Sequence, residues 1–192
     1  MIESKSDYKR YLKMDAFSCN VNIKKSFNNE LFRYQKLMRK LEYYSNCKKD
    51  IISKILIIFM RIKYKRKSIK YGFSIPINTF GPGLNIMHRG TIVVNGNARI
   101  GENCKINADV NIGTQMETRT ETPTIGNNCY IGPGAKIFGK IKIGDNVAIG
   151  ANAVVNKDFP DGVTIAGVPA KIVSNKGTWE AYKRFRQNEN VN

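Results

Sequence analysis

Histidine is nearly missing from this chain: His88 is the single one in 192 residues. One histidine cannot build a three-imidazole zinc centre within a subunit. Cysteine is sparse and scattered. Cys19, Cys47, Cys104 and Cys129 form no CxxC pair, which argues against a zinc ribbon or a disulfide framework. Free, mostly buried thiols and no bound metal are expected. No stretch approaches the roughly 20 apolar residues that cross a bilayer. The start, MIESKSDYKRYL, lacks the apolar core of an export signal, so a cytoplasmic protein is expected. Hydrophobic content of 42% and charged content of 24% exclude a disordered chain.

Acidic residues are also scarce, with 15 Asp+Glu against 32 Lys+Arg, a net charge of +17. The excess is uneven. Residues 1–70 hold 19 Lys+Arg and 6 Asp+Glu, net +13, while residues 71–192 hold 13 and 9, net +4. Nucleic acid or an anionic membrane surface would suit such a region. No groove-reading motif accompanies the charge, so nucleic acid is not expected. Peripheral membrane contact through the basic N-terminal region stays open.

Residues 3–13, 29–45 and 48–67 read as helices. Leu31, Tyr34, Leu37, Met38, Leu41 and Tyr44 recur at three-to-four-residue steps and make one apolar face. Asp50 is a suitable N-cap for the third helix. Ile55 to Met60 is apolar without a break. A core helix with a solvated basic end is the preferred reading, and a lipid-facing helix the alternative.

After Tyr71 the period changes. Aliphatic residues stand six apart at Val94, Ile100, Ile106 and Ile112, and again at Ile125, Ile131, Ile137, Ile143, Ile149 and Val155. Glycine follows at 101, 113, 126, 132, 144 and 150. Ala98, Cys104, Val110, Cys129, Ala135, Ile141, Val147 and Ala153 lie four residues after successive aliphatic positions. Neither an amphipathic helix nor a simple hairpin sheet holds a strict six-residue period on one face. A solenoid of short strands and tight turns does. The aliphatic residue points in, the smaller one fits the corner, and Gly or Asn supplies unusual backbone angles. Each coil buries its apolar face by stacking on the next, so the repeats are expected to form their own core and to survive loss of roughly the first 65 residues. Between Ile112 and Ile125 the spacing is 13 residues, so seven extra residues leave the solenoid. Such an interruption often carries function.

The strings IMHRGTIVVNGNARIGENCKI and PTIGNNCYIGPGAKIFGKIKIGDNVAIGANAVV, closed by AGVPAK, resemble the hexapeptide-repeat acyltransferases. Within that superfamily they look most like the serine acetyltransferase branch, particularly members from bacterial polysaccharide loci. The resemblance covers residues 71–174. It implies a mainly β fold, a left-handed parallel β-helix with an α-helical N-terminal region. The expected organisation is a basic helical region over 1–70, the β-helix over 71–174, and a partly helical tail over 175–192. It also implies a homotrimer with sites between neighbouring subunits and acetyl-CoA as co-substrate.

Acetyl transfer from a thioester to a hydroxyl needs a base, oxyanion donors and a groove that aligns the reactants. Imidazole suits the base. His88 matches the catalytic base by resemblance, yet counting back six from Val94 also places it in an inward slot, as a core histidine. The resemblance places Pro133, Gly134 and Ala151 along the pantetheine arm of CoA. It places Asn156, Lys157 and Lys171 near the adenine and phosphates, where lysine suits the charge. Two departures stand out. The Asp that orients the base in serine acetyltransferases is replaced by Phe73, and a second His by Thr122. Those losses turn the expectation toward a carbohydrate acceptor, a sugar hydroxyl of a surface polysaccharide or its precursor. Asn85 and the loop residues Gln115, Arg119 and Glu121 are candidates to contact it. Serine O-acetylation and a non-catalytic β-helix scaffold are the alternatives.

Overall fold

The computed structural model describes residues 1–24, 26–116 and 120–178. Three helices come first: α1 (Lys5–Ser18), α2 (Glu30–Cys47) and α3 (Ile51–Tyr71). Each begins at a side chain that accepts a hydrogen bond from an otherwise orphaned first-turn N–H: Ser4 from Asp7, Asn29 from Phe32 and Asp50 from Ser53. Helix α1 runs five residues past its expected end. Helix α3 runs to Tyr71, where Gly72 at φ 78° stops it.

The remainder is a three-sided parallel coil. Face one stacks β1 (Phe73–Ser74), β3 (Ile92–Val94), β6 (Val110–Gly113), β9 (Lys136–Phe138) and β12 (Val154–Val155). Face two stacks β4 (Arg99–Ile100), β7 (Thr124–Ile125) and β10 (Lys142–Ile143), extended by the bridges Phe80 to Ile100 and Ile143 to Phe159. Face three stacks β2 (Asn85–Ile86), β5 (Lys105–Ile106), β8 (Tyr130–Ile131), β11 (Ala148–Ile149) and β13 (Thr164–Ala166). Antiparallel β14 (Lys171–Ser174) closes the far end against β13. The register puts like on like: Ile106 pairs with Ile131, which pairs with Ile149, which pairs with Ile165. The six-residue aliphatic ladder is therefore the buried core, and the smaller residues of the second ladder are buried beside it.

Asparagine and glycine share the turn positions of positive φ, as expected: Asn103, Asp109, Asn128, Asn146 and Asn152, with Gly83, Gly134 and Gly162 among the glycines. Gly126, which follows an aliphatic position, serves close approach. A Cβ on Gly126 would lie 2.6 Å from the Gly144 carbonyl oxygen and 2.7 Å from Asp145 N. The coils stack too closely there for any side chain.

The core does not end where the repeats end. Tyr34 and Met38 of α2 belong to the same buried cluster as Phe73, Phe80 and Leu84. Side chains from the helices also satisfy the open edge of the first coil. Gln35 donates to the Leu84 carbonyl (2.6 Å) and accepts from Ile86 N (3.3 Å), as a neighbouring strand would. Asp15 accepts from Gly83 N and Leu84 N, and Arg39 donates to the carbonyls of Phe80 and Gly81. Glu42 accepts from Asn78 N, and Tyr64 donates to the Ile75 carbonyl. The repeats therefore share their core with the helices, and eight backbone groups of the first coil take their partners from helix side chains.

Helix α3 departs from the core-helix reading. Ile51, Ile52, Ile55, Leu56, Ile58, Phe59 and Ile62 are all exposed, while its buried residues are Ser53, Ser68 and Tyr71. Its unbroken apolar run covers the outward face as well as the one on α2. Among the described residues no helix is long and apolar enough to cross a membrane.

Candidate active site

Ile86 pairs with Ile106 and Val94 with Ile112, so eight residues, not six, separate these inward positions. The two extra residues lengthen the turn after β2. His88 stands in that turn and is exposed. The six-residue count that allowed a core histidine fails because the corner is longer than its neighbours. Among the described residues none hydrogen-bonds the imidazole. Beside it lies a recess of about 210 Å³ between α2 and β2, lined by residues that include Cys19, Asn29, Phe32, Asn85 and Met87.

The recess is held from behind by the helices. Asn85 donates its side-chain amide to the Ser18 carbonyl (2.8 Å), and Gln35 grips the backbone on either side. The strand leading to His88 is thus fixed to both α1 and α2. Burial pushes the Cys19 thiol up to about 12, with the Asp15 charge adding to it, so this sulfur stays a neutral wall.

Strand pairing places the turn of His88 in one vertical row with the turns that carry Pro133, Gly134 and Ala151. Hydrogen bonds along that edge run from Gly134 N to the Ala108 carbonyl and from Asn152 N to the Pro133 carbonyl. The Pro133 carbonyl is therefore engaged in the stack. Gly134, at φ 75°, sits so close to the Asn152 side chain that a Cβ would overlap it. Lys171 opens β14 next to the top of this edge and is exposed. The structure thus brings His88, Pro133, Gly134, Ala151 and Lys171 onto one side of the prism.

The other named residues lie across face one, on the edge between faces one and two. The interrupting loop leaves after β6 and returns at β7. Gln115 reaches toward Gly139, and Glu121 lies 3.7 Å from Lys140 in an exposed pair. Asn156 and Lys157 follow β12 on the same edge, with the Lys157 ammonium 5.5 Å from the Phe159 ring centre. Arg119 lies outside the described residues, as does the tail from residue 179. A single subunit therefore does not unite the two groups of candidate residues.

Phe73 points into the core, with its ring centre 5.1 Å from that of Tyr34 and 5.8 Å from that of Tyr71. The slot is part of an aromatic cluster with no carboxylate. The recess walls Asn29 and Phe32 were not singled out in the sequence, because they cap and begin α2 and carry no motif. No group of three His, Cys, Asp or Glu side chains is placed to hold a metal ion among the described residues.

Residues 122–157 match the family model described as bacterial transferase hexapeptide, six repeats. The chain is 38% identical over 98 residues to the serine acetyltransferase of Synechococcus elongatus, covering 50% of this chain and 40% of that protein. It is 34% identical over 130 residues to the serine acetyltransferase of Buchnera aphidicola from Acyrthosiphon pisum, covering 65% of this chain and 47% of that protein. The chain spans about half the length of the curated relatives it matches. A crystal structure of serine acetyltransferase from Brucella abortus superposes with a TM-score of 0.71 at 26% identity, covering 91% of this chain and 72% of that one. The repeats are little more than half of the chain, so this superposition includes the helices.

These names overturn the expectation of a carbohydrate acceptor and of a polysaccharide product, since each protein is a serine acetyltransferase. That expectation rested on Phe73 and Thr122 standing where an Asp and a His were expected, and the loss of two polar groups does not by itself specify another acceptor. The chain carries the bacterial transferase hexapeptide repeat in a left-handed parallel β-helix with a helical N-terminal region, and it is similar to serine acetyltransferases in sequence along the repeats and in fold along nearly its whole length.

Proposed function

We propose that this protein transfers the acetyl group of acetyl-CoA to the hydroxyl of serine, with His88 as general base, in a site shared between the subunits of a homotrimer. The observation that carries this reading is the likeness to serine acetyltransferases over the helices as well as the repeats. The geometry supports it in two ways. First, His88 is exposed at the foot of the edge that carries Pro133 and Ala151. With one coil rising about 4.8 Å, they stand roughly 10 and 14 Å above it, in line for a long, thin arm that ends beside the imidazole. Lys171 at the top of that edge offers a cation to phosphates. Second, Asn156, Lys157 and the interrupting loop lie on the opposite edge of face one. A neighbouring subunit turned about a three-fold axis brings its own such edge against the first, which completes the groove.

Acetyl-CoA supplies the acetyl group as a thioester. His88 takes the proton of the serine hydroxyl as that oxygen bonds to the acetyl carbon. It returns the proton to sulfur as the carbon–sulfur bond breaks, so O-acetylserine and free CoA leave and the imidazole is restored. The recess walled by Asn29, Phe32, Asn85 and Met87 holds the small acceptor beside the ring. Because Phe73 fills the slot of the orienting carboxylate, the imidazole takes its orientation from the turn backbone and the neighbouring subunit.

Release of CoA thiol is measured with acetyl-CoA and serine. His88→Ala is expected to lower kcat by about a hundredfold or more, since general-base catalysis contributes roughly 10²–10⁴. Its melting temperature should hold, because removing an exposed ring leaves no cavity. No serine-dependent thiol release, or full turnover in the variant, refutes the reading.

A further inference from the structure

Acetyl transfer gives no role to the most unusual surface of the molecule. Helix α3 exposes Ile51, Ile55, Ile58, Ile62 and Ile69, which recur at three-, four- and seven-residue steps and therefore form one stripe along the helix. Ile52 and Phe59 widen it, at 68% and 64% exposure. At 100° per residue, Lys54, Arg61 and Lys65 flank the stripe on one side, and Lys63, Arg66 and Lys70 on the other. No Asp or Glu occurs between Ile51 and Tyr71. Near its C-terminal half the helix holds a recess of about 410 Å³ whose floor is Phe59 and Ile62 and whose rim is Lys63, Arg66, Lys67 and Lys70.

We propose that α3 lies flat on an anionic bilayer surface, with the isoleucine stripe and Phe59 in the headgroup–acyl boundary and the flanking cations among the headgroups. The charge selects this occupant. A second copy of the chain would set seven cations against seven, with no acidic residue on either helix to offset them. A nucleic acid would take the charge but leave the apolar stripe in water. A lipid surface satisfies both, because Lys and Arg bury their stems at the edge of an apolar strip and keep their charges at the phosphates. At 21 residues the helix is about 32 Å long. Its basic second half keeps it in the surface plane and out of the bilayer core. This binding is independent of the acetyl-transfer reading.

The full chain is tested by co-sedimentation with vesicles of phosphatidylcholine, alone or mixed with phosphatidylglycerol. Each cation near the surface contributes about fivefold to partitioning. The mixed vesicles are therefore expected to take up the protein at least tenfold better than the neutral ones, and about 1 M salt to abolish the difference. Ile58→Gln with Phe59→Gln removes apolar contact from two exposed positions and should lower partitioning by about tenfold or more, with unchanged far-UV circular dichroism and thiol release. Failure to pellet with anionic vesicles overturns the proposal. So does equal pelleting of the double variant, which would mean binding by charge alone. A sedimentation coefficient of the free protein that falls in the double variant also overturns it, because a second copy would then cover the stripe.

Discussion

Arg39→Met tests how the helices hold the first coil. Arg39 is fully buried, and its guanidinium donates to Asp15 at 2.8 and 3.3 Å, to Glu42 at 3.0 Å, and to the carbonyls of Phe80 and Gly81 at 2.9 and 2.6 Å. It also stacks 4.8 Å from the centre of the Tyr11 ring. The two carboxylates raise its pKa, outweighing the opposing effect of burial. Methionine keeps the stem and fills the apolar volume, but strands the Asp15 and Glu42 carboxylates and two carbonyls away from water. Losing one partner of such a buried charge cluster costs about 3–5 kcal/mol. Most of that reflects the stranded charges, so it is not the net worth of the ion pair. The triple variant Asp15→Asn, Arg39→Met, Glu42→Gln keeps similar shapes without charge and should recover more than about 1 kcal/mol of the loss. Urea unfolding followed by far-UV circular dichroism measures both. A single variant within about 1 kcal/mol of wild type, or a triple variant no more stable than the single, refutes the reasoning.

The coil and the thiols make further tests. Gly126→Ala places a methyl against the Gly144 carbonyl of the next coil and should cost about 2 kcal/mol of stability in urea. Gly162→Ala meets no atom within 4 Å and bears only the strain of φ 73°, about 1 kcal/mol; equal losses at the two sites would contradict the close-approach account. Burial pushes the Cys129 thiol up to about 11, as it does Cys19 to about 12, so these two thiols in native protein at pH 8 should react with a disulfide reagent far more slowly than in protein unfolded in urea. The same shifts set a sign. The unfolded thiols ionise near 8.5 while the folded ones stay protonated, so stability falls as pH rises from about 8.5 toward 11, by about 1.4 kcal/mol per unit for each thiol. Fast labelling of native Cys129 at pH 8, or alkaline stability that is flat, would count against buried neutral thiols.

The amino-acid sequence by itself determined the solenoid. A strict six-residue ladder has one solution, with Ile100, Ile125 and Ile143 on one face and Ile106, Ile131 and Ile149 on another, because side-chain direction along a short strand is a local property. The loop after Ile112 was legible for the same reason, as a break in the count. What the count could not carry was the corner at His88. Two extra residues turn that side chain from core to surface, and only the pairing of Ile86 with Ile106 reveals them. The exposed stripe on α3 was hidden too. A run of isoleucines states that a helix is apolar, while which side is covered depends on how α2 packs against it. The joint between helices and coil was silent as well. Asp15, Gln35 and Arg39 are ordinary helix residues until the fold brings the bare edge of the first coil against them, far along the chain. The separation of the candidate site onto two edges of the prism is of the same kind: local period sets what points inward, but only tertiary stacking decides which outward residues share an edge.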